Sequence, residues 1–154
     1  MRKYILVFFA LILVSCNKNN IHDSFTTDFV ANRWISNAEL TFEFNIPEEG
    51  AYNIDLHFGH IYDFQFASVP LEITFLKEKQ IVKQETFNLR IKNDKGESLA
   101  SCSGDVCDLF QSIEKELTLK SGNYSVKVKN KFPSAYLPNI LGLGVRVTKL
   151  PLID

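Results

Sequence analysis

The most specific chemistry in this chain is available to Cys16. Residues 4–14 are almost wholly apolar, follow Arg2 and Lys3, and place Leu13 three positions before the cysteine. A short positive start followed by a brief apolar run is the layout of a secretory leader. The run ends on Ser15-Cys16, the arrangement of a bacterial lipobox, in which the cysteine sulfur is lipidated and the cysteine becomes the new N-terminus. It is too short to cross a bilayer as a mature helix, which needs roughly 20 apolar residues. Each buried methylene of an acyl chain adds roughly 0.8 kcal/mol of membrane affinity, so two or three chains make an essentially permanent anchor.

The remaining candidates for chemistry are sparser. With Cys16 committed to lipid, Cys102 and Cys107 are left, and an even pair in an exported protein is expected to form a disulfide. A redox pair is the alternative, but the spacing is not Cys-x-x-Cys and no βαβ context surrounds it. His57 and His60, with Asp55 and Asp63 nearby, form a crude metal-ligating cluster. Residues three apart on a strand face opposite sides, so both histidines reach one ion only if the chain bends at Gly59. A zinc site normally shows three or four ligands at recognisable spacing, so no metal is expected. Glu114/Glu116 and Asp105/Asp108 are carboxylate pairs of the kind a glycosidase uses, but nearby acids more often share a solvated face. No Gly-x-Ser-x-Gly turn occurs, and Ser103-Gly104 and Ser121-Gly122 read as turns. The chain is therefore expected to have no catalytic residues and no cofactor.

Two apolar segments are candidate interaction surfaces. The first is the loop carrying Phe58, Ile61, Tyr62, Phe64 and Phe66, and the second is residues 132–138, where Pro133 and Pro138 flank Tyr136 and Leu137. Such residues either close one end of a core or form an exposed patch that marks a partner or glycan surface. Tyr62, Phe64, Phe66, Tyr136 and Leu137 are the side chains on which the second possibility rests.

The elements that must position these groups are strands. Leu40, Phe42, Phe44 and Ile46 alternate with Glu39, Thr41, Glu43 and Asn45, and Tyr52, Ile54, Leu56 and Phe58 resume the alternation after the turn Pro47-Glu48-Glu49-Gly50. This period of two is the half-buried strand signature, and the turn predicts an antiparallel hairpin between the two. Val69, Leu71, Ile73 and Phe75 make a further strand, with Pro70 marking an edge or a strand start. Strands follow at Phe87, Leu89 and Ile91, at Tyr124, Val126 and Val128, and at Leu141, Leu143, Val145 and Val147. A short strand or edge segment is expected within residues 25–34, with Trp34 as an aromatic anchor. Residues 106–116 are expected to carry at most a turn or two of helix. About eight short strands separated by Gly- and Pro-marked turns predict an all-β fold, an antiparallel β-sandwich of jelly-roll or Ig-like type, with a closed barrel second.

Composition agrees with one exported domain. Beyond the first sixteen residues 138 remain, enough for a single core. Removing the leader leaves 15 basic against 18 acidic residues, a net charge of −3, which offers no footprint for nucleic acid. The expected organisation is a lipoprotein signal peptide over residues 1–15, a lipidated polar tether over 16–27 and a β-sandwich over 28–154. No acidic cluster follows Cys16, so the periplasmic face of the outer membrane is expected.

In order and spacing, several segments resemble the gliding motility lipoprotein family H (GldH-type) of Bacteroidetes. They are the lipobox, Phe42-Glu43-Phe44-Asn45-Ile46, Ala51-Tyr52-Asn53-Ile54, the aromatic loop running into Val69-Pro70-Leu71-Glu72-Ile73, and Gly122-Asn123-Tyr124-Ser125-Val126. The last are Leu137-Pro138-Asn139-Ile140-Leu141-Gly142-Leu143-Gly144-Val145 and Val147-Thr148-Lys149. Where a Gly/Trp-rich loop is expected after Asp94-Lys95-Gly96, this chain has Ser101-Cys102-Ser103-Gly104-Asp105-Val106-Cys107. The resemblance implies a non-enzymatic, outer-membrane-associated lipoprotein of the gliding apparatus whose partners are its membrane and other envelope or motility proteins. A glycan-binding module is the second reading and requires a planar row of exposed aromatics. A hydrolase, the third, requires a cleft holding a perturbed acid pair.

Overall fold

The computed structural model describes residues 19–151; the leader over 1–15 and Cys16 lie outside the described residues. The described residues form eleven strands, β1 (Asn20–Thr26), β2 (Arg33–Ile35), β3 (Glu39–Ile46), β4 (Gly50–Ile61), β5 (Ser68–Lys77), β6 (Gln80–Arg90), β7 (Ser101–Ser103), β8 (Val106–Leu119), β9 (Gly122–Asn130), β10 (Tyr136–Pro138) and β11 (Ile140–Lys149). Two sheets carry them, in the orders β1-β11-β4-β8-β7 and β3-β9-β5-β6, and β10 and β2 form a small separate ribbon. Every pairing is antiparallel.

The pairing is nested. β5 pairs with β6, β4 with β8, β3 with β9 and β1 with β11. A long two-stranded ribbon has thus been rolled over so that successive arms fall in opposite sheets, which makes the fold a jelly roll. The eight principal strands match the expected number; β2, β7 and β10, of three residues each, are too short to show a period of two. The hairpin expected between β3 and β4 does not form, because the turn at Pro47–Glu49 carries the chain from one sheet to the other. Residues 106–116, expected to carry at most a turn or two of helix, lie wholly in β8, the longest strand. Asn20–Thr26, expected in the tether, is β1 and pairs with β11.

The core lies between the sheets. Tyr52, Ile54, Leu56 and Phe58 from β4 meet Phe42, Phe44 and Ile46 from β3 and Val69, Leu71, Ile73 and Phe75 from β5, all buried. Each such side chain contributes about 1.5–3 kcal/mol relative to exposure. Trp34 is buried as expected. Pro70 sits in an interior strand, close to its start. Its carbonyl points toward the β9 side and accepts from Lys131 N–H, while pairing with β9 begins only at Leu71. The missing N–H therefore leaves no gap in the ladder. In β11 a bulge between Ile140 and Gly142 shifts the phase, so Ile140 is buried and Leu141, expected inside, is only half-buried.

The two ends of the sandwich differ. At one end the connections are tight: Pro47–Glu49, Glu78–Lys79 and Lys120–Ser121. Glu78 and Lys79 both have positive φ, 45° and 68°, as a two-residue hairpin turn of the mirror-image type requires. The other end carries the long connections, residues 27–38, 62–67, 91–105 and 131–139.

Candidate functional site

The aromatic loop divides between the two roles left open for it. Phe64 is buried, packed edge-on to Phe58 at 5.7 Å and to Phe66 at 5.6 Å, and Phe66 in turn meets Phe132 at 4.7 Å. Leu137 is buried opposite Trp34 in the β2–β10 ribbon. These residues plug the loop-bearing end of the core, because the open end of two apolar sheets must be covered. Phe64 and Leu137 are therefore not a surface, and Phe66 is half-buried. Tyr136 is half-buried beneath the Arg33 guanidinium, 4.4 Å from its ring centre. Of the five, only Tyr62 stands free, at 62% exposure.

The histidines do not converge. β4 runs unbroken through Gly59, so His57 faces outward and His60 is buried, as strand alternation demands. His60 Nδ1 bonds the Ile61 carbonyl at 2.8 Å, and its buried Nε2 has no hydrogen-bond partner. Burial lowers its pKa, opposed by that hydrogen bond and by Asp108. Among the described residues no group of three or more His, Cys, Asp or Glu side chains is placed to hold a metal. The carboxylate pairs are engaged singly, Glu114 by Lys83 and Asp108 by His57. Cys102 and Cys107 face each other across β7 and β8 and are joined as a disulfide.

A different constellation occupies the outer face of the five-stranded sheet. Register aligns Phe25 (β1), Gly144 (β11), His57 (β4) and Phe110 (β8) in one row across four strands. Gly144 leaves that row without a side chain, so the Phe25 ring reaches over β11 and stacks on His57 at 4.2 Å. His57 stacks on Phe110 at 4.1 Å. Asp108 accepts a hydrogen bond from His57 Nε2 at 2.7 Å and so orients the imidazole. The next row, Asp23, Arg146, Asp55 and Ser112, is polar. Arg146 Nε donates to Asp23 at 2.9 Å while its guanidinium lies 4.1 Å from the Phe110 ring centre. The Ser112 hydroxyl donates to Asp55.

This makes a row of stacked rings bordered by the Arg146–Asp23 ion pair and by the carboxylates of Asp55 and Asp108, with Phe25 and Phe110 each 41% exposed. Stacked aromatic pairs contribute about 0.5–1.5 kcal/mol beyond their area, and a cation over a ring about 0.5–1 kcal/mol at an exposed site. Such a surface can hold a planar or CH-rich group and hydrogen-bond its rim. Phe25, Phe110 and Arg146 are absent from the sequence candidates. Their one trace is glycine at 59, 142 and 144, outward positions that become one bare floor only after β4 and β11 are put in register.

Residues 22–147 match the family described as GldH lipoprotein. Among solved structures, a family 35 carbohydrate binding module from Clostridium thermocellum is similar at 16% identity and a TM-score of 0.43, over 84% of this chain and 90% of that one. A ruminal GH26 endo-beta-1,4-mannanase is similar at 14% identity and a TM-score of 0.42; the match covers 79% of this chain and only 20% of the mannanase chain. Dimeric latent PorU from Porphyromonas gingivalis is similar at 9% identity and a TM-score of 0.34, over 85% of this chain and 13% of that one. None of the curated proteins matches the chain.

Proposed function

The chain belongs to the GldH lipoprotein family, and from that premise we propose that it is a non-enzymatic component of the gliding-motility apparatus. In this reading it is held in the outer membrane by lipid on Cys16, faces the periplasm, and works by binding other envelope proteins. The observation that carries it is the family match, which takes in nearly the whole jelly roll. The outer face supports it: stacked rings and an ion pair suited to docking. Among the described residues no helix is long and apolar enough to cross a membrane, so in this reading attachment falls to the lipid.

The experiment is deletion in a gliding host, complemented in parallel by the wild-type chain and by Cys16→Ala. Loss of surface spreading, restored only by the lipidated form, is the expected result. A deletion strain that glides normally would falsify the motility role, and Cys16→Ala protein that stays in the membrane fraction would remove the anchor. Crosslinking in the native envelope then identifies what the body touches.

A second reading, a glycan-binding module, is favoured by one observation, the row Phe25–His57–Phe110 with its charged rim. It predicts binding on a glycan array that Phe110→Ala abolishes. An array without ligands speaks against it.

A further inference from the structure

Twelve residues, 16–27, would let the body swing freely beneath its anchor, but β1 takes up Asn20–Thr26. Even Asn19 is held, its carbonyl accepting Lys149 N–H at 2.7 Å. Only Asn17 and Lys18 separate Asn19 from Cys16, and the three residue steps reach at most about 11 Å when fully extended. Asn20 pairs with Thr148 and Tyr52 with Lys149, so β1 starts at the end of the sandwich that carries the tight turns.

We infer that the jelly roll stands end-on to the bilayer that carries its anchor, with the turns at Pro47–Glu49, Glu78–Lys79 and Lys120–Ser121 against the lipid. The inference rests on the anchor at Cys16 proposed above and adds to it the surface that meets the membrane. A second observation points to the same end. Ile81 and Val82, at the start of β6, are 63% and 60% exposed. Beside them an apolar cleft of about 350 Å³ opens between the sheets, lined by Phe44, Ile54, Leu117, Leu119 and Tyr124. Apolar surface of this kind is costly in water and cheap beside lipid.

The consequence is a fixed display. β4 has 12 residues, and at about 3.3 Å per residue it holds the opposite end some 35–40 Å from the bilayer. Residues 27–38, 62–67, 91–105 and 131–139 are then the membrane-distal surface. Loops of variable shape on a rigid scaffold are where binding concentrates, and this end exposes Val30, Ile35, Tyr62, Leu99 and Val106.

The test uses the lipidated full chain in phosphatidylethanolamine/phosphatidylglycerol vesicles carrying a headgroup nitroxide. Ser121→Cys in a tight turn and Lys95→Cys in the long connection are each labelled with a fluorophore, the native disulfide left intact. The dye at 121 should be quenched several-fold more than the dye at 95, and a long Gly/Ser insertion after Lys18 should erase that contrast. Flotation is measured first. Protein that fails to float with its vesicles removes the anchor, and with it the inference. Protein that floats but shows equal quenching at the two sites, or the reverse order, overturns the orientation alone.

Discussion

The ring of Phe25 lies over Gly142: a Cβ added at 142 would stand closer to three ring carbons than real Cβ atoms approach other atoms. The same ring meets a Cβ built on Gly59 at 2.9 Å. Besides its ladder with β11, the edge strand β1 is thus fixed to the sheet by one aromatic seated on a floor of glycines.

Gly142→Ala should therefore displace Phe25 and destabilise the domain by about 1–3 kcal/mol, the usual cost of forcing atoms into a packed site. Phe25→Ala should relieve most of that, giving a strongly non-additive double mutant. Gly144→Ala differs, since its Cβ meets the Ser24 backbone carbonyl, and Phe25→Ala should not rescue it. Urea unfolding of the wild type, the three single variants and the two double variants measures both cycles; additive losses at 142 would refute the seating.

Tyr62 and Phe64 are two residues apart and should behave oppositely. Phe64→Ala opens a hole beneath Phe58 and Phe66 and should cost about 3–5 kcal/mol. Tyr62→Ala touches no core and should stay within about 0.5 kcal/mol. If Tyr62 serves a partner, its loss should appear in crosslinking yield while unfolding midpoints are unchanged.

Reduction should act locally. The Cys102–Cys107 bridge closes a short loop at the tip of β7 and β8, and the chain-entropy estimate for such a loop is about 2 kcal/mol. β7 is a three-residue edge strand, so its amides should lose exchange protection while those of β4 and β11 keep theirs. Hydrogen exchange with and without reductant decides this, and global unfolding on reduction would contradict it.

These contrasts show what alternation makes legible and what it leaves out. It placed Phe42, Phe44 and Ile46, and Tyr52 to Phe58, on buried faces, because burial of one face is a property of the strand itself. It could not place β3 and β4 in different sheets, because a Pro-Gly turn serves a hairpin and a sheet crossing equally well. The nested partners lie far apart in sequence: Phe25 meets Gly144 and Ile46 meets Gly122. The ring row was hidden for the same reason, being assembled from four strands. Phe64 and Leu137 were ambiguous because an apolar plug and an apolar interface share one composition. The short bridge of Cys102 and Cys107, a purely local feature, was readable.

The last prediction concerns acid. Burial lowers the pKa of both His60 and His22 below the ordinary 6.5, countered at His22 by Asp23. Below about pH 6.5 the unfolded chain therefore binds protons that the folded chain refuses, so stability present at neutral pH is lost as pH falls. Each histidine can contribute a slope of at most about 1.4 kcal/mol per pH unit. His60→Phe should lower stability near neutral pH by about 1–2 kcal/mol, because the Ile61 carbonyl loses the imidazole donor, and the deficit should shrink as pH falls. The substitution should also flatten the loss between pH 7 and 5, leaving the part due to His22. Denaturation midpoints across that range separate the two effects. A slope unchanged in His60→Phe would mean that the imidazole is solvated enough to take its proton while folded.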